Sequence, residues 1–402
     1  MSIFNSSSIN ENVKLRMEDE LLICCARTDV NSKIRDKILY LVQNDLDWDY
    51  LLNLASRHRL RSLLYHNLNS VCPEMVPEDI LSELKGNFNA NVRKNLMMTG
   101  ELIKVLDLLE SEGITAVPYK GPVLDYTVYG NIGRRQFSDL DIFIPENYIL
   151  NAIKLLTSKG YDLKLSNIKK SRYIKTQREY KLINREGILI ELHWKLCGIP
   201  FSFKESTNCL SKNVGKIKIF NSNILSFNPE NLLLILCIHN AGHRWEYLLW
   251  ICDIAEIIQK YELNWDKIVS TAEYLGIKRI LSVNLLLTKF LFDVELKKDV
   301  LNIISIDKNA EKISNQIIKE NFIETLKIPN LIKCSILHFE MRENPISGLK
   351  DVLLHIFAPS INELETVSLP SRLFVLYYIV RPFLLLKSYK LIKKNYTFWN
   401  YL

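Results

Sequence analysis

Arg135-Gln136-Phe137-Ser138-Asp139-Leu140-Asp141-Ile142-Phe143-Ile144, a short span after Tyr119-Lys120-Gly121-Pro122, places two carboxylates at alternate positions at the head of an apolar strand. Successive side chains of a strand point to opposite faces, so Asp139 and Asp141 project together while Leu140, Ile142 and Ile144 face a core. Two same-face carboxylates at a strand start form a site for a hard divalent cation, because neither charge is easily tolerated without a counter-ion. Ile188-Leu189-Ile190-Glu191-Leu192-His193-Trp194 is a second apolar strand interrupted by an acid. Three carboxylates on neighbouring strands are what two-metal phosphoryl or nucleotidyl transfer requires. Asp pairs also serve as turn formers at strand ends, and a lone acid such as Glu191 also serves as an edge charge that discourages aggregation. The context favours a site. Lys120-Gly121 follows a short apolar strand, Ile114 to Tyr119, and precedes a helix-like segment, Val123 to Tyr129, with Arg134 and Arg135 just upstream of the acids. Cations, a glycine turn and paired acids in so short a span fit an anionic, metal-bound ligand.

The bulk numbers are those of a globular chain, with 402 residues, 48% hydrophobic and 24% charged, a length that suggests two or three domains. A net charge of +7 suits anionic substrates but is far from that of a dedicated nucleic-acid binder, and no nucleic-acid-binding motif is readable. The eight cysteines form no C-x-x-C pair and read as reduced core residues of a cytoplasmic protein. The first residues lack a basic start followed by an apolar run, so no signal peptide is expected. The longest apolar stretch, Leu373 to Leu386, is interrupted by Arg381-Pro382 and is too short to span a bilayer. It reads as a buried or surface-docked helix. The basic, aromatic run Lys387 to Lys394 behind it reads as a solvated helix end, with weak contact to an anionic membrane surface as the lesser alternative.

Texture divides the chain in three. Residues 1–110 read as helical from 3.6-period apolar spacing, as in Ile34 to Val42, Tyr50 to Leu68 and Leu96 to Leu109. Residues 111–225 change to short β-type runs, Ile114 to Tyr119, Leu140 to Ile144, Tyr180 to Ile183, Ile188 to Trp194 and Lys216 to Phe220, with helices at Leu124 to Tyr129 and Tyr148 to Lys159. Residues 226–402 are helical again from an Asn-Pro-Glu start at Asn228. An internal echo joins the two flanks: Asp47 to Ala55 resembles Asn264 to Ala272 at a constant offset, and Leu64, Asn67 and Leu68 match Leu281, Asn284 and Leu285. Two copies are too few for a solenoid, so the pair reads as scaffold with Trp48 and Trp265 as core anchors.

The order Lys-Gly, Arg-x-x-Ser-Asp-x-Asp and Glu-x-His-Trp resembles the uncharacterised bacterial nucleotidyltransferase family of the DNA polymerase β-like superfamily, which also includes small antibiotic-modifying enzymes. The likeness continues through Asp47-Trp48-Asp49, Ala55-Ser56-Arg57-His58, Asn228-Pro229-Glu230, His239 to Trp245, Asp253-Ile254-Ala255, Leu369-Pro370 and Arg381-Pro382, nearly the whole chain. It implies an α+β fold, a polymerase β-like core of mixed sheet and helices between helical flanks. It also implies Mg²⁺-dependent transfer of a nucleoside monophosphate from an NTP to an acceptor hydroxyl or phosphate, on a small molecule, a peptide or a surface precursor. The alternatives are a toxin-type enzyme modifying tRNA or protein, and a non-catalytic nucleotide-binding scaffold, against which three intact acids argue. One departure stands out: the superfamily commonly has Gly-Ser in the glycine turn, where this chain has Lys120-Gly121.

In this reading Asp139 and Asp141 hold two Mg²⁺ ions and Glu191 completes the second site and favours deprotonation of the attacking hydroxyl. Lys120, the Gly121 backbone and Arg135 meet the triphosphate, Arg135 by bidentate contact and Lys120 as a point charge; Arg134 is an equal alternative to Arg135. Ser138 orients an Asp or caps the strand. His193 shares the face of Glu191 and either binds substrate, hydrogen-bonds Glu191 or sits in the core. His239 and His243, four apart, lie on one helical face as a zinc pair would. Asn240 stands where a metalloprotease has Glu and no third ligand is evident, so a substrate-pocket or structural role is favoured. Tyr247, Trp250 and Asp253 continue that helix and pack it against the catalytic block.

Overall fold

The structure, a computed structural model, describes residues 15–164, 178–196, 207–305, 307–323, 331–359, 363, 366–367 and 369–387. The first flank consists of α1 (Met17–Cys25), α2 (Ser32–Val42), α3 (Trp48–Arg57), α4 (Arg61–Val71) and the 34-residue α5 (Glu78–Ser111). Asn31 and Asp47 cap α2 and α3 by accepting from the backbone N–H of Ile34 and Tyr50, each contact contributing about 1 kcal/mol. The single helix expected over Tyr50 to Leu68 is two, because the backbone turns through a left-handed residue, Arg59, at φ 60°.

The central sheet takes β1 (Val117–Pro118), β2 (Asp139–Phe143), β3 (Asp162–Leu163), β4 (Glu179–Ile183) and β5 (Leu189–His193) in the order β1-β2-β5-β4-β3. β2 and β5 run parallel and the other pairs antiparallel, with α6 (Pro122–Thr127) and α7 (Ile149–Ser158) between strands. The period-2 pattern divides the faces. Leu140, Ile142, Tyr180, Leu182, Ile190 and Leu192 form one face and are buried with Met98, Leu102 and Val105 of α5 and Ile149, Ile153 and Leu156 of α7. The acids lie on the other face. A separate hairpin pairs β6 (Val214–Ile219) with β7 (Ser222–Phe227); the strand expected over Lys216 to Phe220 stops at Ile219 because Phe220 takes φ 51° in the turn.

The second flank opens with α8 (Pro229–Gly242), whose Asn228 cap accepts from Asn231 N–H, followed by α9 (Leu248–Lys260), α10 (Trp265–Leu275) and α11 (Lys278–Phe292). Helices α12 (Lys298–Ser305), α13 (Lys308–Ile318), α14 (Leu331–Glu340) and α15 (Pro345–Phe357) continue it. The fold is thus the expected α+β class, a mixed sheet with helices between helical regions. Leu21, Leu51, Leu63 and Leu68 of the first flank belong to the same buried cluster as Leu233, Ile251, Ile254 and Leu281 of the second. Residues 377–387 are helical, with Tyr377 and Leu385 buried while Ile379, Phe383 and Leu386 are exposed; the basic run from 388 onward lies outside the described residues. Among the described residues no helix is long and apolar enough to cross a membrane. Cys24, Cys25, Cys72, Cys237, Cys252 and Cys334 are buried cysteines outside any disulfide and Cys209 is half-buried, while Cys197 is outside the described residues.

The internal echo is a structural repeat. Asp47 and Asn264 cap their helices in the same way, by accepting from Tyr50 and Lys267 N–H. The helices close with matching bonds, Leu60 N–H to Ala55 C=O at 2.7 Å and Ile277 N–H to Ala272 C=O at 2.8 Å. The buried amides of Asn67 and Asn284 donate to carbonyls of the preceding helix region, Cys25 at 2.7 Å and Cys237 at 3.3 Å. Trp48 and Trp265 are half-buried and pack on the rim of the core, whereas Trp245 is the tryptophan sealed within it.

Candidate functional site

Parallel pairing of β2 with β5 sets Asp141 directly opposite Glu191 and Phe143 opposite His193, and antiparallel β4 adds Lys181 opposite Glu191 and Glu179 opposite His193. By alternation Asp139, Asp141, Glu179, Lys181, Glu191 and His193 all rise from one face. Asp141, Glu191 and His193 each offer a ligating atom within 4.8 Å of the others. His193 Nε2 is 3.0 Å from Asp141 Oδ1 and 3.4 Å from Glu191, and its Nδ1 is 3.4 Å from Glu179. Burial opposes charge on this ring, but the bonds to Asp141 and Glu191 and the Glu179 charge outweigh it, raising its pKa to about 9. His193 is therefore held as an imidazolium between carboxylates, and a ring nitrogen can ligate a metal only on losing that proton.

Lys120, brought over by the turn that Gly121 permits, places Nζ 2.8 Å from Asp141 Oδ1. Gly121 has φ 51°, and a Cβ there would come 3.2 Å from the Asp139 carbonyl, so the turn requires glycine. The two aspartates are driven apart. For Asp141, burial is outweighed by Lys120 and His193 and the pKa falls well below the ordinary value. For Asp139, burial and the Asp141 charge raise it, against the opposing charges of Lys120 and Arg59. Lys181 contacts Glu191 at 2.6 Å and Glu179 at 3.3 Å, and Arg178 contacts Glu179 at 3.0 Å. His193 and these cations hold the Glu179 pKa at about 2 despite its burial.

α8 and α9 lie across this charged face and close a cavity of about 280 Å³ lined by acids, cations, His239, His243, Tyr247 and Trp250. Burial first, then the Lys120 charge and His243, push the His239 pKa well below its usual value; burial and nearby cations hold His243 at about 4. Both rings are neutral; their centroids lie 4.5 Å apart in a tilted arrangement, and each packs tilted or edge-on against Trp250. Lys120 Nζ lies 3.4 Å from His239 Nδ1; since lysine has only donors, that nitrogen accepts and the ring proton sits on Nε2. The pair is a cavity wall. No third ligand stands near it among the described metal-binding clusters.

Of the other expected residues, Arg135 lines the cavity but is engaged with an acid, and Arg134 and Ser138 do not line it. Arg135 is buried and makes a fork to Asp253, at 2.8 Å from Nε and 2.7 Å from Nη2, so its charge is committed to a structural pair rather than left to a triphosphate. Arg134 donates to the Tyr129 carbonyl at 3.1 Å. Ser138 is exposed and does not line the cavity. Asp253 does fasten its helix to the loop before β2, packing it against the sheet region as expected of it. The continuous helix expected through Tyr247 is broken, however. α8 ends at Gly242, and Arg244 and Trp245 take φ 55° and 52° as the Trp245 indole enters the core and donates to Asn284 at 3.0 Å. Sequence reasoning passed over Glu179, Lys181, Arg178 and Arg59, all in the cavity wall. The alternation of Glu179-Tyr180-Lys181-Leu182 around apolar residues was a signal for the first two.

Residues 44–293, more than half of the chain, match the uncharacterised nucleotidyltransferase family. Among curated proteins none matches the sequence significantly. Among solved structures the chain is similar to that of an antigenic nucleotidyltransferase-like protein from Paracoccidioides brasiliensis, at 16% identity and a TM-score of 0.28, over 55% of this chain and 92% of that one.

Proposed function

The chain belongs to the uncharacterised nucleotidyltransferase family, and from that premise we propose that it transfers a nucleoside monophosphate from an NTP to an acceptor hydroxyl or phosphate, using Mg²⁺. The observation that carries this reading is the register of β2 on β5, which puts Asp141 opposite Glu191 with Asp139 on the same face. The donor set fits a hard cation: carboxylate oxygens of Asp141 and Glu191 already converge within 4.8 Å, and magnesium favours a few carboxylates completed by phosphate oxygens and water. A positive charge already stands between those two acids, as the His193 imidazolium.

Asp139, Asp141 and Glu191 would hold two ions. Bound magnesium would neutralise the transferring phosphoryl group and lower the pKa of the attacking hydroxyl. Lys120 supplies a compact charge beside Asp141, Gly121 lets the backbone approach the ligand, and the wall of His239, His243 and Trp250 excludes water from the charged face.

The test is incubation of the full chain with each α-labelled NTP and Mg²⁺ in the presence of metabolite, protein and RNA fractions. Label should move to one fraction with the parent chain. It should not move with Asp141→Asn or after chelation of the metal. Transfer to RNA or protein would select the toxin-type alternative. Absence of transfer from every NTP to every fraction would overturn the reading.

A further inference from the structure

The cavity carries six cationic side chains besides histidine: Arg59, Lys120, Arg135, Arg178, Lys181 and Lys195. Four are held by acids: Lys120 by Asp141, Arg135 by Asp253, Arg178 by Glu179, and Lys181 by Glu179 and Glu191. Among the described residues, Arg59 and Lys195 have no acid within ion-pair distance. Arg59 comes from the first helix pair, outside the sheet, and its guanidinium lies over the Tyr247 ring at 4.3 Å from the centroid. That ring also lines the cavity, so the stack holds the fork against the wall while its N–H donors keep their hydrogen-bonding capacity.

The backbone adds an independent observation. Arg59 has φ 60°, a left-handed conformation that non-glycine residues adopt at a cost. The second copy of the repeat has the same corner with the same closing bonds, Arg59 N–H to Ser56 C=O at 3.1 Å and Gly276 N–H to Glu273 C=O at 3.0 Å. There the residue is Gly276, at φ 65°, the residue such a corner favours. The first copy accepts strain at this position, and the side chain that comes with the strain points to the cavity.

We propose that Arg59 is a phosphate-binding residue of the nucleotide site, lent to the cavity by the first helix pair. The inference rests on the nucleotidyltransferase reading. A planar fork matches phosphate oxygens bidentately, and with four of the other cations neutralised by acids, Arg59 is placed to meet the outer phosphates of a triphosphate.

The test measures binding of inorganic tripolyphosphate, and of the four common NTPs, to the full chain with Mg²⁺ by calorimetry. Arg59→Gly and Arg59→Asn both tolerate the left-handed backbone and remove the charge. Both should bind tripolyphosphate and NTP about tenfold to a hundredfold more weakly, and Arg59→Gly should melt at or above the parent's temperature because the strain is gone. Arg59→Lys should recover part of the affinity. Parent-like tripolyphosphate affinity in the folded Gly and Asn variants would overturn the role of Arg59 and leave the enzymatic reading standing. A parent chain that binds none of these anions and transfers no label would overturn both.

Discussion

Two aspartates on one strand face behave as different acids because their neighbours differ. Asp141 has Lys120 and His193 within hydrogen-bond reach and stays ionised, whereas burial and the Asp141 charge make ionisation of Asp139 harder. Their alternation was legible in the sequence, as was the sharing of a face by Glu191 and His193. The partner of Lys120 was not, since the contact to Asp141 depends on a turn and a strand pairing that no local pattern encodes. At this scale Asp139→Asn and Asp141→Asn should each abolish transfer with the circular dichroism spectrum unchanged. Glu191→Gln should be severely impaired in turnover yet still bind NTP. Parent-like turnover in the double Asn variant would remove the carboxylates from the mechanism, and parent-like turnover in Glu191→Gln would reduce Glu191 to an edge charge.

Between elements, the buried Arg135–Asp253 fork joins the loop before β2 to α9. Tyr129 also donates to Asp253, at 2.7 Å. The sequence shows an arginine just ahead of the aspartates, and a triphosphate is a natural partner for it; the acid that claims it lies 118 residues away, beyond the reach of periodicity or spacing. Removing one partner strands a buried charge, so Asp253→Ala should cost about 3–5 kcal/mol in urea unfolding. Replacing both with apolar residues, Arg135→Met with Asp253→Leu, should restore most of that. NTP affinity in the folded double variant separates a tie from a phosphate contact: retained affinity assigns Arg135 to the scaffold. The breaks in the helical flanks were hidden for a related reason. Apolar periodicity runs through Arg59 without a glycine or proline to mark the left-handed corner, and at the second break Gly242 precedes the left-handed residues Arg244 and Trp245 rather than occupying their positions.

The whole molecule is closed by contacts between its two helical flanks. His58 is fully buried and its Nδ1 accepts from the Leu248 N–H at 3.2 Å, across 190 residues. Burial first, with the Arg57 charge, holds its pKa at about 3, below the ordinary value of an unfolded chain. On acidification the unfolded state therefore takes up this proton first. The stability it supports is complete above about pH 6.5 and declines by about 1.4 kcal/mol per pH unit below that. His58→Gln should be less stable than the parent at neutral pH, and the gap between their urea midpoints should narrow from about pH 7 to 5. A gap that does not change with pH would show that His58 is not held neutral.

The shared core also has a consequence for how the chain is made. Leu21, Leu51 and Leu63 are translated before the sheet, whereas Leu233, Ile251 and Leu281, which share their buried cluster, are translated only after it. At ribosomal elongation rates of about 5–20 residues per second that interval is on the order of ten seconds or more, during which the first helices exist without their other half. Until then the apolar faces of the first helices lack the partners they have in the finished core. The cavity, walled by α8 and α9, cannot close until residues 229–260 have followed the whole sheet, so no translation intermediate that ends within the sheet carries a finished pocket.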